Sequence, residues 1–566
     1  MSCAVCVGYI FFLKLRQEND MQGQMMGTPL LITEIMRFAG RQYGDTEVVS
    51  VTAENPLHRC TYKDVIRRAH QVANVLHKFG LAEGDRVATL AWNDFRHLEL
   101  YYGVSCAGYV LHTVNPRLFF EQLLYIFNHA EDRVLFFDPV FLPLVEKLSD
   151  QLPKVETYVV LSSEDRMPQT SLQSIKCYET LLHEASEDYE WPVLDEGTAS
   201  VLCYTSGTTG HPKGVLYDHR STVLHAYGSC HRNALALGRR DTVLPVVPMF
   251  HVNAWGTPYS AFISGAKMVL PGPKMGDGKT LQALIEGEGV TVALGVPTVW
   301  LALLSYLEET GTTVGSLERT VVGGAACPLS IMKEFQDKHG VYTHHGWGMT
   351  EMSPLGSLNT LSRPMESFED SELDVIRAKQ GKAPFGVEMK IVDGDGQELP
   401  WDGEAFGDLK VRGWWVCDNY FRSEGSDDAF DADGWFSTGD VATIDPEGNL
   451  GITDRTKDVI KSGGEWISSI KLENLAVSHP DVLEAAVIGV GHQKWGERPL
   501  LIVVPNEGAI PDKIAILGLF KGEVADFWIP DDLVFVDEIP HTATGKVSKL
   551  ELRKQFADYR LNLPQK

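Results

Sequence analysis

Residues 204–214 read Tyr204-Thr205-Ser206-Gly207-Thr208-Thr209-Gly210-His211-Pro212-Lys213-Gly214. An apolar run, Ala199 to Cys203, precedes them and is short enough to be a buried strand. A strand that runs into glycines and hydroxyl residues, with a Lys behind them, is suited to holding phosphates. The glycines let backbone N–H groups turn inward, the hydroxyls donate further hydrogen bonds, and Lys213 adds fixed positive charge. The spacing is not that of a Walker A loop, because no Gly-Lys-Ser/Thr follows the first Gly at that motif's distance. An ordinary surface loop is the competing reading, and the density of glycines and hydroxyls argues against it.

At 566 residues the chain exceeds what one hydrophobic core supports, so more than one domain is expected. Apolar residues make up 44% and charged residues 22%, an ordinary globular balance. The formal net charge of −26 argues against a nucleic-acid partner, and an anionic ligand requires positive charge concentrated locally. Nine scattered cysteines, with Cys3 and Cys6 as a lone Cys-x-x-Cys, support neither a disulfide framework nor structural zinc. A reducing, cytoplasmic setting is expected. The apolar stretch Cys3–Leu13 is shorter than the ~18 residues of a spanning helix, so no stable membrane insertion is expected. Residues 1–24 read as an extension upstream of the true start, with Met21, Met25 and Met26 as alternatives. The final Leu-Pro-Gln-Lys carries no targeting signal.

From Leu30 to Ala442 helical patterns alternate with short β-rich runs. These runs are Arg86–Ala91, Arg133–Phe137, Thr157–Leu161, Thr242–Val247, Lys267–Leu270, Val290–Leu294 and Thr320–Val322. The alternation predicts layered α/β subdomains with largely parallel sheets. Ser362–Lys379 is charged and reads as an exposed excursion. A boundary is expected at Asp454–Lys461. Beyond it a helical pattern (Ile467–Ser478), strand-like runs (Ala485–Val490, Leu500–Val504, Leu533–Val536) and a second helical stretch predict a small α+β domain.

Further motifs join the phosphate loop. His345-Gly346-Trp347-Gly348-Met349-Thr350-Glu351 offers an aromatic plane for a flat base, a hydroxyl for a phosphate and a carboxylate for a hard cation. Trp347 by itself reads first as core packing. Ser437-Thr438-Gly439-Asp440 places a carboxylate in a predicted turn, where it reads first as a turn-forming Asp. Asp454-Arg455-Thr456-Lys457-Asp458 and Lys461-Ser462-Gly463-Gly464 lie at the boundary, and Thr544-Gly545-Lys546 lies in the small domain.

Taken together and in this order, these segments resemble the adenylate-forming superfamily of acyl-CoA synthetases, peptide-synthetase adenylation domains and beetle luciferases. The resemblance runs from about Leu30 to Phe556. Gly463-Gly464-Glu465-Trp466-Ile467-Ser468 and Met249-Phe250-His251-Val252-Asn253-Ala254-Trp255 are most similar to medium- and long-chain fatty acyl-CoA synthetases. They are similar also to bacterial ligases acting on 3-methylmercaptopropionate, whose opening resembles Met21-Gln22-Gly23-Gln24-Met25-Met26.

The resemblance implies a large N-terminal domain of layered α/β subdomains (25–453), a hinge segment (454–461) and a small mobile α+β domain (462–566). It implies that a carboxylate attacks the α-phosphorus of MgATP to give an acyl-adenylate, which coenzyme A then converts to a thioester. Thr205, Ser206, Gly207, Thr208, Thr209 and Lys213 would cradle the triphosphate, and Thr205 and Glu351 would hold Mg²⁺. Gly324, His345, Gly346 and Trp347 would surround adenine, with Thr350 at the α-phosphate and Asp440 and Arg455 at the ribose. Lys457, Lys461 and Trp466 would close over the nucleotide, Lys457 being also the hinge. Lys546 would bridge carboxylate and α-phosphate, and His251, Val252, Trp255 and Gly256 would line the acyl pocket. No nucleophilic Ser, Cys or His is needed, because phosphoryl transfer asks for positioning and charge neutralisation. A medium-chain fatty acid is the expected acid, with 3-methylmercaptopropionate or another short acid as the alternative, and assembly is left open between monomer and homodimer.

Two rival classes leave signatures. Amino-acid adenylation domains carry an Asp just after the Phe of the Phe250 motif, and here that position is His251. A non-catalytic nucleotide-binding protein on the same fold would have lost Lys213, Glu351 or Lys546, and all three are present. Luciferase keeps the same adenylation motifs, and luminescence on a luciferin separates it.

Overall fold

The computed structural model describes residues 23–205, 211–362, 365, 368–423, 428–463, 465–541 and 546–561. The N-terminal stretch through Gln22 and the loop residues Ser206, Gly207, Thr208 and Thr209 lie outside the described residues. Two mostly parallel sheets dominate the larger part. Among the described residues the first has eight strands, in the order Leu355–Leu358, Tyr342–Gly348, Arg319–Val322, Val292–Gly295, Thr242–Pro245, Lys267–Leu270, Glu47–Ser50 and His58–Thr61. The second has seven: Ile175–Cys177, Thr157–Val160, Val134–Phe137, Arg86–Leu90, Val110–Thr113, Ala199–Tyr204 and Gly214–Asp218. All seven β-rich runs of the sequence are strands here.

Their inner strands are apolar at consecutive positions because both faces are covered. Val134–Phe137, Thr242–Pro245 and Val292–Gly295 are buried along their whole length. The helix Tyr62–Lys78 starts from a reciprocal cap between Thr61 and Asp64 and packs on Phe95–Ser105, a helix buried on every side. In both sheets the order reverses partway, between Thr242–Pro245 and Val292–Gly295 in one and between Val110–Thr113 and Val134–Phe137, either side of Arg86–Leu90, in the other. Such a reversal opens a crevice at the carboxyl ends of the strands. The phosphate-loop strand Ala199–Tyr204 leads not into a helix but into an antiparallel return, Gly214–Asp218, with Leu202 opposite Leu216.

An antiparallel sheet follows, Val387–Val392, Phe406–Gly413, Phe436–Ile444 and Leu450–Arg455. The segment expected to form a turn at Ser437–Asp440 is instead part of its third strand, with Asp440 opposite Arg455. Gly439 takes a left-handed φ of +73° there, and a register shift between Asp408 and Lys410 accommodates it. The described residues of Ser362–Lys379 are largely exposed, as expected, but the segment is not irregular throughout. Its second half is the helix Asp370–Arg377, whose Leu373 is buried and whose Asp374 pairs with Lys333 at 2.5 Å. Charge there marks the outward face of a packed helix.

The smaller part is a five-stranded sheet built on the long hairpin Val482–His492 and Gly496–Pro505. Alternate residues face two separate cores, Val487, Leu501 and Val503 on one side and Ile488, Leu500 and Ile502 on the other. The chain leaves the large part's last strand at Arg455 and enters the small sheet at Ile460. Asp454, buried at that crossing, accepts from both the backbone N–H and the hydroxyl of Ser469 at 2.6 Å, one residue into the helix Ser469–Val477. Lys549 contacts the same hydroxyl and pairs with Glu473 at 2.7 Å.

These contacts tie the small part to the last strand of the large one. Ser469→Ala removes a hydroxyl from a buried carboxylate, a loss of about 1–3 kcal/mol. Hydrogen exchange in Ser469–Val477 is expected to accelerate on the order of tenfold or more while exchange in the eight-stranded sheet stays unchanged. Unaltered exchange in that helix would show that the carboxylate does not hold it.

Candidate active site

The two sheets and the small part converge on a cavity of about 540 Å³. Its walls come from the carboxyl ends of strands, as the reversal of strand order predicts. Val246, Phe250 and Val296 follow the strands that flank one reversal, and Asn115 and Arg117 follow a strand at the other. Of the residues read from the sequence, Thr205, His251, Val252, Trp255, Gly324, Gly346, Trp347, Thr350, Glu351, Arg455 and Lys546 line it. Lys546, far along the chain and in the smaller part, therefore faces the same space as Thr205.

Thr205 closes the base of the phosphate loop. Its N–H donates to Lys213 O at 2.9 Å, and its hydroxyl accepts from the Lys213 N–H at 3.2 Å. The Lys213 ammonium lies 4.5 Å above the ring of Tyr420. Beyond the strand Tyr342–Gly348 a short turn, Thr350–Met352, is clamped from three sides. Tyr217 donates to Thr350 O at 2.5 Å, Cys417 N–H to Glu351 O at 2.8 Å, and the Tyr420 hydroxyl to Glu351 Oε1 at 2.8 Å. Burial raises the Glu351 pKa, opposed by the Tyr420 hydrogen bond and by Lys213 and Lys546.

Asp440 lies beside this cluster. Its Oδ2 accepts from the Trp347 indole N–H at 2.8 Å, and its Oδ1 is 3.7 Å from Arg455 Nε. Burial raises its pKa, with Arg455 acting in the opposite sense. Lys546 is desolvated, and burial and Arg455 bring its pKa down to about 8 against the pull of Asp440 and Glu351. His251 is held at about 4 by burial and by Lys546, so this part of the cavity wall presents a neutral imidazole.

The segment Val252–Gly256 has an unusual backbone. Val252, Asn253, Ala254 and Trp255 take φ values of +46°, +52°, +47° and +57°, and Gly256 follows at +77°. A left-handed turn costs L-residues about 1–2 kcal/mol each, so packing must impose it. The Asn253 carboxamide oxygen lies 3.1 Å from the Tyr101 hydroxyl, and Ala254 N–H donates to Pro248 O at 3.1 Å. A Cβ on Gly256 would lie 2.6 Å from the His225 ring, which closes that position to any side chain. The turn lays the Trp255 indole over Gly323, where a Cβ would meet it at 3.2 Å.

Other residues read from the sequence lie off the cavity wall. The His345 side chain is buried and does not line the cavity. Its Nδ1 is 3.1 Å from Ala378 O, its Nε2 takes a 3.4 Å contact from Cys327 N–H, and burial lowers its pKa to about 4. A register shift at Trp347–Gly348, where the strand ends, gives Trp347 different surroundings. Lys461 is exposed, with its ammonium 5.8 Å from Trp466, whose ring in turn meets Phe406 at 5.6 Å. Lys457 lies in the crossing, where its carbonyl accepts from Arg553 at 3.1 Å. Lys213, Gly256 and Asp440 are not among the residues that line the cavity. The sequence reading passed over Asn115 and Arg117, whose one signal is their place directly after a buried strand, and Tyr217 and Tyr420, which carry no sequence signal.

The sequence profile of the family described as AMP-binding enzyme matches residues 36–421, and that of the AMP-binding enzyme C-terminal domain matches residues 471–546. The chain is 53% identical to the 3-methylmercaptopropionyl-CoA ligase of Ruegeria lacuscaerulensis, covering 95% of this chain and 99% of that protein. It is 50% identical to the medium-chain-fatty-acid–CoA ligase of Ectopseudomonas oleovorans, covering 95% and 98%. Among solved structures, the anthranilate CoA ligase AuaEII in complex with anthranoyl-AMP superposes with a TM-score of 0.83 at 25% identity, covering 94% of this chain and 99% of that one.

The buried ammonium of Lys546 has a stability consequence. Its pKa falls from 10.5 to about 8 on folding, so between those values the unfolded chain binds more protons and stability rises with pH. Lys546→Met is therefore expected to raise the melting temperature of the ligand-free protein at pH 7, by up to about 3 kcal/mol of stability. The difference from wild type should shrink as pH climbs through 8 toward 10. A variant that melts below wild type at pH 7 would contradict the desolvation argument.

Proposed function

The chain belongs to the AMP-binding enzyme family, and on that premise we propose that it is an AMP-forming acid–thiol ligase. It activates a carboxylic acid with ATP to the acyl-adenylate and transfers the acyl group to coenzyme A. The observation that carries this reading is Lys546 lining one cavity with Thr205, Trp347, Thr350 and Glu351. Its lining combines cations and hydroxyls with apolar side chains.

The triphosphate lies along the phosphate loop, between Thr205 and Lys213. Adenine stacks at Gly324, Gly346 and Trp347, with His345 supporting the strand from behind. Asp440 takes the ribose hydroxyls. The Trp347 indole N–H fixes one of its oxygens, which couples the base platform to the sugar carboxylate. Thr350 reaches the α-phosphate. Lys546 neutralises the substrate carboxylate and the α-phosphate as they approach, a task suited to a long monocationic side chain. Lys457, Lys461 and Trp466 belong to the crossing and hairpin that move with the small domain, and rotation about Lys457 then frees the carbonyl for the thiol.

Mg²⁺ fits this site by donor chemistry. The Thr205 hydroxyl and the Glu351 carboxylate are hard oxygen donors, and both line the cavity. Among the described residues no three His, Cys, Asp or Glu side chains form a cage, so water and phosphate oxygens would complete the coordination. When bound, the ion neutralises triphosphate charge.

The acyl end is walled by Val246, Val247, Leu235, Val321 and Trp255. With His251 neutral it offers no charge to an ammonium group, and this favours an apolar acid over an amino acid. A medium-chain fatty acid is the substrate we favour. The 53% identity to the Ruegeria enzyme supports 3-methylmercaptopropionate as the second reading. The seven described cysteines form no disulfide, and no helix among the described residues is long and apolar enough to cross a membrane. Unbridged thiols fit work in the reducing cytoplasm.

The half-reactions separate the roles. Lys546→Ala should lower adenylate formation on the order of 10²–10³-fold. The same variant should still convert a supplied acyl-adenylate and coenzyme A to thioester at near wild-type speed. Equal slowing of both steps would overturn the role given to Lys546. Because the ammonium form acts, kcat/KM for adenylation should fall as pH rises through about 8. Pyrophosphate release across straight-chain, branched, aromatic and thioether acids identifies the acid class.

Trp255→Ala should shift the preferred chain length upward while the KM for ATP stays nearly unchanged. Loss of the indole should also cost about 3–5 kcal/mol of stability. An unchanged chain-length profile with weaker ATP binding would place Trp255 at the nucleotide instead.

A further inference from the structure

Residues Trp414–Arg422, between the strands Phe406–Gly413 and Phe436–Ile444, cross behind the phosphate end of the cavity. This loop touches several pieces of that end. Trp415 Nε1 donates to Leu355 O at 2.9 Å, and Trp415 O accepts from the Ser353 hydroxyl at 3.1 Å. Cys417 N–H holds Glu351 O at 2.8 Å, and Phe421 N–H holds Gly214 O at 2.8 Å. Arg422 then reaches His129 O at 2.8 Å and pairs with Glu131 at 2.5 Å, on the seven-stranded sheet's side of the cleft. One loop thus joins the return strand of the phosphate loop, the turn bearing Thr350 and Glu351, and the helix that ends at Ala130.

At its centre Tyr420, 8% exposed, makes two different contacts. Its hydroxyl donates to Glu351 Oε1 at 2.8 Å, and its ring face lies 4.5 Å from the Lys213 ammonium. A hydroxyl that fixes one carboxylate oxygen leaves the other free to turn toward a ligand. A ring face beneath an ammonium limits the sweep of a long flexible side chain without neutralising its charge.

We propose that Tyr420 is a positioning residue for the phosphate and metal end of the site, orienting the Glu351 carboxylate toward Mg²⁺ through its hydroxyl and the Lys213 ammonium toward the triphosphate through its ring. The two functions reside in separable parts of one side chain. The proposal rests on the assignment of Mg²⁺ to Thr205 and Glu351 and of the triphosphate to Lys213 made above.

ATP binding to the full chain is measured by calorimetry, with excess Mg²⁺ and with EDTA. Tyr420→Phe keeps the ring and loses the hydroxyl. It should cut the Mg²⁺-dependent gain in ATP affinity on the order of tenfold, as losing the partner of a metal ligand does, and leave the affinity in EDTA within about twofold of wild type. Tyr420→Leu loses both parts and should also weaken binding in EDTA several-fold. On a Glu351→Gln background the further effect of Tyr420→Phe should vanish. This cycle needs only the conservative variant and decides the hydroxyl's role even where Tyr420→Leu does not fold. A wild-type Mg²⁺ dependence in Tyr420→Phe, or an undiminished Tyr420→Phe effect on the Gln background, would overturn the proposal. A wild-type protein whose ATP binding ignores Mg²⁺ would instead overturn the metal assignment.

Discussion

The site depends on keeping a buried ammonium charged. Lys546 sits away from bulk water, with Arg455 repelling it and Glu351 and Asp440 attracting it, and its pKa settles near 8. An ammonium so placed is poorly solvated by the protein alone and gains from any polyanion that enters. The chain carries a formal charge of −26 overall, so its attraction for an anionic ligand has to arise in this one place. That place exists only while the small domain lies against the large one, because Lys546 comes from one and Glu351 and Asp440 from the other. Assembly of the two domains and of this charge cluster is therefore one event.

The rest of the fold can be read as scaffolding for that event. Two parallel sheets reverse strand order and so open crevices at the same side, and loops from both crevices supply the cavity walls. Between them the left-handed turn at Val252–Gly256 holds Trp255 over Gly323. Buried partners such as Tyr101 and Pro248 sustain that backbone, which isolated peptide chemistry disfavours. Strain is thus placed at the stretch of cavity wall that Val252 and Trp255 form. At the other end the wall is set by hydrogen bonds: Tyr217, Cys417 and Tyr420 fix the turn that presents Thr350 and Glu351.

Much of this was legible in the chain. Short β-branched runs separated by helical patterns are hydrophobic on both faces only when helices cover both faces, and all seven became strands of parallel sheets. Glycine-rich and hydroxyl-rich segments have few structural uses, so their order pointed to the family. Reading failed where a residue's side mattered. His345 and Trp347 are two apart on one strand, yet a register shift at Trp347–Gly348 and the strand's end part their surroundings, and only Trp347 meets the cavity. Ser437–Asp440 carries turn residues but is held as a strand by its neighbours. Charge in Ser362–Lys379 suggested exposure, which most of its described residues show, but it did not reveal the short helix that Leu373 packs down.

The amino-acid order by itself determined the sheet-forming runs, the phosphate loop, the family and the identity of most groups that could meet a nucleotide, because periodicity, glycine content and residue chemistry are local properties. It could not determine that Lys546 faces Glu351 and Asp440, that Tyr420 stands between Glu351 and Lys213, or that Val252–Trp255 runs left-handed. Each of these is a distance or a backbone angle fixed by segments far apart in the chain. Only the tertiary structure brings them together, and only there does burial turn an ordinary lysine into one whose pKa lies near 8.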